Sequence, residues 1–351
     1  MKNYLQLLVL AFFLSFAFVG CSDDDDDNDV IDNTDTTDTI TYPVWGESST
    51  ISAVTQNNEI LYYSFESGEV ARASHSGWDI MMTPKTRTIG AAIRISNNVK
   101  LWEIPNYVIE EFPKDISLED ETAWTQNLNS YDRWANGAFN QNSDNANFDY
   151  GWGVYDAGTN IVNAKRVYVL EYAGKKIQMI IRKLSVEGVY FLEWADLDGT
   201  NTDGADVATA DYSAKDFIGY NFTTKEIVDY RPPMNAWDLE FSANNDWAGP
   251  SAYPIGMVLT NFDDKTAEIN EIADVVNYVE LPADEDYLVG AGVIGADWKA
   301  FDQANNVYTI VSDRVYFASS PSDVKSVYKI IFTSFGAGTY GFTQQKVTIS
   351  E

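Results

Sequence analysis

The chain has 351 residues, enough for about two domains of ordinary size, and its 45% hydrophobic and 14% aromatic content excludes an intrinsically disordered protein. With 53 acidic against 23 basic residues the net charge is −30, which repels phosphate backbones and excludes nucleic acid as a partner. One cysteine and one histidine are too few for a disulfide framework or a zinc site.

Residues 1–21 read as a signal peptide. Lys2 supplies a positive start, residues 5–18 form an apolar run too short for a comfortable membrane span, and Val19-Gly20 precede Cys21, the single cysteine. This ending resembles a bacterial lipobox, with Phe18 where leucine is more usual, and it makes Cys21 the lipidated first residue of the mature protein. Residues 22–42, with Asp23 to Asp27 at their head, cannot bury enough apolar surface to offset their ordering entropy. They are expected to form an acidic disordered tether. Cys-Ser followed by acidic residues also resembles the export signal of Bacteroidetes surface lipoproteins, which implies a lipid-anchored position on the outer membrane, exposed at the cell surface.

The body is patterned for strands. Runs rich in Val, Ile, Tyr, Phe and Thr occur at 60–65, 91–95, 166–172, 176–181, 189–194, 307–311, 314–318, 327–333 and 341–349. Short turn signals join several of them, among them Ala173-Gly174, Glu187-Gly188, Ser319-Ser320-Pro321 and Gly336-Ala337-Gly338, which suits antiparallel hairpins. Helix signals are confined to 117–126 and 268–276. The fold class expected is mostly β and antiparallel, with few short helices.

One pattern runs twice through the chain. Tyr63-Ser64-Phe65, Trp78-Asp79-Ile80, Trp152 with Tyr155-Asp156, Arg166-Val167-Tyr168 and Lys176-Ile177 recur in the same order as Tyr220-Asn221-Phe222, Trp237-Asp238-Leu239, Trp298 with Phe301-Asp302, Arg314-Val315-Tyr316 and Lys329-Ile330. Two tandem copies of one all-β domain follow, at 43–200 and 215–351. The polar, acidic stretch 201–214 is read as the linker between them.

These landmarks, taken together, resemble the HmuY family of Bacteroidetes lipoproteins. In the second copy the Trp-Asp element continues to Phe241; in the first, Met82 stands in that place. The resemblance implies an all-β, non-enzymatic haemophore that captures haem outside the cell and passes it to a TonB-dependent transporter. Family members hold the iron with paired His or Met side chains between the Trp-Asp element and the Arg-x-Tyr strand. Here that interval has no His or Met between Met82 and Met179, nor any after Met257 in the second copy, and Ala157 and Gln303 stand where the best-known pattern has His. The remaining candidates for haem are His75, in a Ser-, Ala- and Gly-containing segment read as an exposed loop, and Met81.

An insertion-like stretch at 101–147 of the first copy mixes aromatics with many Asn residues. Trp124 and Trp134 could stack on a sugar or a planar macrocycle while amides fix its orientation, or could simply pin a long loop to the sheet. A glycan-binding or adhesion module on the same scaffold is therefore the alternative function. Residues 196–204 resemble a calcium loop faintly and lack EF-hand spacing. No Gly-x-Ser-x-Gly elbow accompanies the single histidine, and no metal site or catalytic constellation is expected.

Overall fold

A computed structural model describes residues 43–349, apart from 57, 85–90, 145–146, 249–250, 263 and 321–322. The signal peptide, Cys21 and the acidic tether lie outside the described residues. Among the described residues the chain forms five antiparallel sheets linked by short 3-10 turns. The predicted strands are present. The helix expected at 117–126 is instead a 3-10 turn, Glu121–Ala123, followed by the strand Thr125–Asn127, and 268–276 opens in the strand Thr266–Ile269. The first segment lacks the apolar 3.6-residue stripe that would hold a helix on the core; the second has one in Ile269, Ile272 and Val276, but its start is taken into the sheet, where Thr266–Ile269 pairs with Val315–Ser320.

Hairpin chemistry explains much of the order. Ala173-Gly174 and Ala337-Gly338 both take positive φ at two successive residues, the two-residue turn whose twist matches paired strands. They set Tyr172 opposite Lys175 and Gly336 opposite Thr339. An eight-stranded sheet is built on Val167–Tyr172, Lys175–Leu184 and Val189–Asp196; a five-stranded sheet has Val315–Ser320, Asp323–Gly336 and Thr339–Ile349 at its centre. Thr339–Ile349 also pairs with Pro43–Val54, which closes the body end to end.

The segments 43–200 and 215–351, expected as consecutive domains, are interleaved. Tyr63 of the first pairs with Leu239 of the second, and Tyr220 of the second pairs with Ile80 of the first. Each segment thus lends its opening hairpin to the other, and residues 41–351 form one compact unit. The Trp-Asp landmark is the clasp of this exchange. The Asp79 carboxylate accepts the Phe222 amide at 2.7 Å, and its own amide donates to Tyr220 O at 2.9 Å. Asp238 accepts the Phe65 amide at 2.6 Å, while its amide donates to Tyr63 O at 2.8 Å. A hydrogen bond to an ionised group contributes about 1.5–3 kcal/mol, so the two clasps are substantial for their size. Burial raises both carboxyls above the usual range, an effect offset only in part by the Phe222 amide at Asp79 and by the Ser320 hydroxyl and Phe65 amide at Asp238.

The exchange also explains the remaining landmarks. Tyr220 and Phe222 complete a core around Trp152, Tyr168 and Tyr190. Tyr63 and Phe65 complete the other, around Trp298, Tyr316 and Tyr340. Trp78 and Trp237 meet in a third cluster between these cores. The stretch 201–214, expected as linker, contributes the strand Asp203–Ala208 to the edge of the eight-stranded sheet. Its acidic turn is held internally: Asp198 accepts from the amide and hydroxyl of Thr200, and Asn201 donates to Asp196.

Candidate functional site

His75 does not lie on an exposed loop. It opens the 3-10 turn His75–Gly77 and is 4% exposed, with its ring centroid 5.8 Å from that of Trp78. Neither ring nitrogen has a hydrogen-bond partner in the structure. Burial, followed by the nearby Arg231 guanidinium, lowers its pKa to about 4. Met81 is also buried, and its sulfur accepts from the Tyr230 hydroxyl at 3.0 Å.

The structure brings these two residues to one cavity, whose volume is only about 10 Å³. That space takes about one water molecule. A haem does not fit between His75 and Met81.

A buried ionic cluster fills the surroundings. Arg231 donates to Asp216 through both Nε (2.8 Å) and Nη2 (2.6 Å), and through Nη1 to Glu240 and the Tyr62 hydroxyl, each at 2.9 Å. The neighbouring carboxylates and phenols hold the guanidinium charged against its burial, with its pKa well above the usual value. Arg94, also buried, donates to the carbonyls of Ser130 and Trp134. Arg94 is held by carbonyls alone and its Nε has no partner, whereas Arg231 is ion-paired with Asp216 and Glu240; removing either carboxylate would leave part of its charge uncompensated in the interior. The cluster is structural cement between the two cores.

The insertion's tryptophans are likewise in the interior. Trp124 is 8% exposed and packs against Ile104, Phe112 and Ile116. Trp134 is 4% exposed; the Arg94 and Arg231 guanidiniums stand 5.0 and 5.1 Å from its ring centroid, and its indole donates to Thr260 O at 3.1 Å. Neither ring offers a free face for stacking, because each pins the long loop to a sheet.

What Trp134 does provide is the edge of a groove of about 860 Å³. One wall has Arg133, from the insertion, with Phe148 and Tyr150 just beyond it; the other is the segment 287–293, led by Tyr287, Leu288 and Val289. Phe148, Leu288 and Val289 are exposed apolar side chains along it. Thr260 ties the walls together: its carbonyl accepts from Trp134, its hydroxyl donates to Gly290 O at 2.7 Å, and its amide donates to Ala291 O at 2.8 Å. The glycines allow the close approach. A Cβ at Gly290 would stand 2.6 Å from Asp132 O, and one at Gly292 would stand 2.5 Å from Tyr131 O. Burial, with Asp284 and Asp286 nearby, pushes the Tyr287 phenol up to about 12, and burial raises Tyr150 as well.

Across the ridge 130–132 lies a second groove of about 550 Å³, lined by Gln126, Gln141, Asn142 and Trp247 among others. Among the described residues no group of three or more His, Cys, Asp or Glu side chains converges as a metal site.

No family model matches this sequence, and no curated protein does. Among solved structures the chain is similar to apo PinO from Porphyromonas gingivalis, a Bacteroidetes protein. The identity is 9%, the match covers 87% of this chain and 99% of that one, and the TM-score is 0.31. At that distance the likeness assigns no family.

Of the two tryptophans singled out in the sequence only Trp134 borders the apolar groove; Phe148, Tyr150 and the whole opposite wall were missed. The signal was the run Tyr287-Leu288-Val289-Gly290-Ala291-Gly292-Val293, directly after the acidic 284–286. An apolar stretch interrupted by two glycines, unsuited to a regular strand, marks backbone that another segment approaches closely.

Proposed function

We propose that the protein is a non-enzymatic surface lipoprotein of HmuY type, anchored to the outer membrane through Cys21, that captures a planar apolar ligand in the groove between its two copies. A tetrapyrrole is the class that the HmuY resemblance implies, with a TonB-dependent transporter as recipient. The observation that carries the reading is the groove itself. At about 860 Å³ it falls within the range of small-molecule sites, roughly 300–1,000 Å³, and its walls are largely rings and aliphatic side chains. Arg133 on the lining offers a cation to a ligand carboxylate.

Recognition here is by the macrocycle, not by the iron. Tyr150 and Tyr287 are the groove's phenols, and both are held more firmly protonated than a free tyrosine, which disfavours the phenolate that binds ferric iron. Titration of the chain with ferric haem and with metal-free protoporphyrin IX, followed by the Soret band, tests this. Both are expected to bind saturably at micromolar concentration with similar affinity, Leu288→Asp to weaken both, and His75→Gln to leave both unchanged. Binding of neither would end the tetrapyrrole reading; binding of haem alone would show that iron ligation, and not the groove, carries it.

A further inference from the structure

We infer that the second groove, on the other side of the ridge 130–132, is a separate binding site for a neutral glycan. Its lining is of a different chemistry from that of the apolar groove. Gln126, Gln141 and Asn142 line it with amides, and Asp132 with a carboxylate. Asn127 and Asn129, also on the lining, are consumed by the fold: Asn127 donates to Ala138 O, and Asn129 both donates to and accepts from the Ile95 backbone. An amide presents donors and an acceptor together, and a carboxylate presents acceptors, which is the complement of a row of sugar hydroxyls.

The second component is Trp247. It stands near the tip of the hairpin formed by Leu239–Ala248 and Ser251–Thr260, opposite Ala252, and remains 46% exposed while lining the groove. An indole there provides a flat apolar surface against the C–H face of a pyranose ring, with amides beside it to fix the hydroxyls. The hairpin is held in place from below, since Asn245 donates to Asn97 O at 2.8 Å and the Tyr131 hydroxyl donates to Asn245 O at 3.2 Å. With Asp132 on the lining and a net charge of −30 on the chain, uronic and sialic acids are disfavoured, so the ligand is neutral.

This site does not depend on tetrapyrrole capture, and the test keeps the two apart. The chain is titrated with cellohexaose, maltohexaose, mannohexaose and xylohexaose, with oligogalacturonate as the anionic comparison, by calorimetry and tryptophan fluorescence. At least one neutral oligomer is expected to bind saturably, with a change in tryptophan emission. Trp247→Ala and Gln141→Ala are each expected to weaken that binding about tenfold, the scale of one lost stacking or polar contact, while Leu288→Asp leaves it intact. Both substituted side chains for the sugar site lie outside the cores, so folding is preserved; unchanged protoporphyrin binding or thermal unfolding verifies it. Absence of binding by all four neutral oligomers at about 1 mM, or binding that Trp247→Ala leaves unchanged, overturns the inference.

Discussion

His75 shows how one residue can be visible in a sequence and still be misread. As the sole histidine it attracted a ligand role, and its small, polar neighbours pointed to an exposed loop. Nothing local reveals that the following Trp78 carries it into the layer between two cores. Its burial has a measurable effect instead. The folded pKa of about 4 lies below the ordinary value of 6.5, so between these values the unfolded chain binds more protons than the folded one. Its contribution is therefore fully present above about pH 6.5 and is lost as pH falls towards 4, by up to about 3 kcal/mol. Denaturant unfolding of wild type and His75→Leu across pH 4–7 checks this: the stability difference between them should shift with pH in that window. A constant difference would mean that the folded imidazole titrates normally.

At the scale of elements, strands and turns were legible because their signals are local. Val167–Tyr172 and Asp323–Gly336 are runs of strand-forming residues, and Ala-Gly turns fix their partners within a few positions. Of the groove only the Trp134 edge had been singled out, since its second wall is built on close contact between backbones far apart in sequence. That contact predicts a sharp steric limit. Gly292→Val would drive a side chain into Tyr131 O, forcing the 287–293 segment away from the insertion and costing about 1–3 kcal/mol of strain. Thermal unfolding should show the loss, and protoporphyrin affinity should fall with it.

For the whole molecule, the recurring landmarks were readable because in both segments they are core residues, but the way the two segments connect was not. Tyr63 and Phe65 pack the same way whichever copy they serve, and no periodicity distinguishes a hairpin that stays from one that crosses. The crossing makes a prediction that consecutive domains would not. Segments 43–214 and 215–351, expressed separately, should each lack cooperative unfolding and a native tryptophan environment, and mixing them should restore both. A cooperative transition in either segment alone would show that its own hairpin can close its own core.

The same crossing sets a timetable for synthesis. The strand Ile80–Met82 emerges early, yet the backbone it pairs with, Ile218–Asn221, is about 140 residues away. A ribosome adding about 5–20 residues per second delivers Tyr220 roughly 7–28 s after Ile80. Through that interval the first copy's apolar strands have no closing partner, and they are what a holding chaperone would meet. Folding of this chain is thus a late event: until residues 218–221 reach the compartment in which it folds, the half-built core stays open to the wrong neighbour.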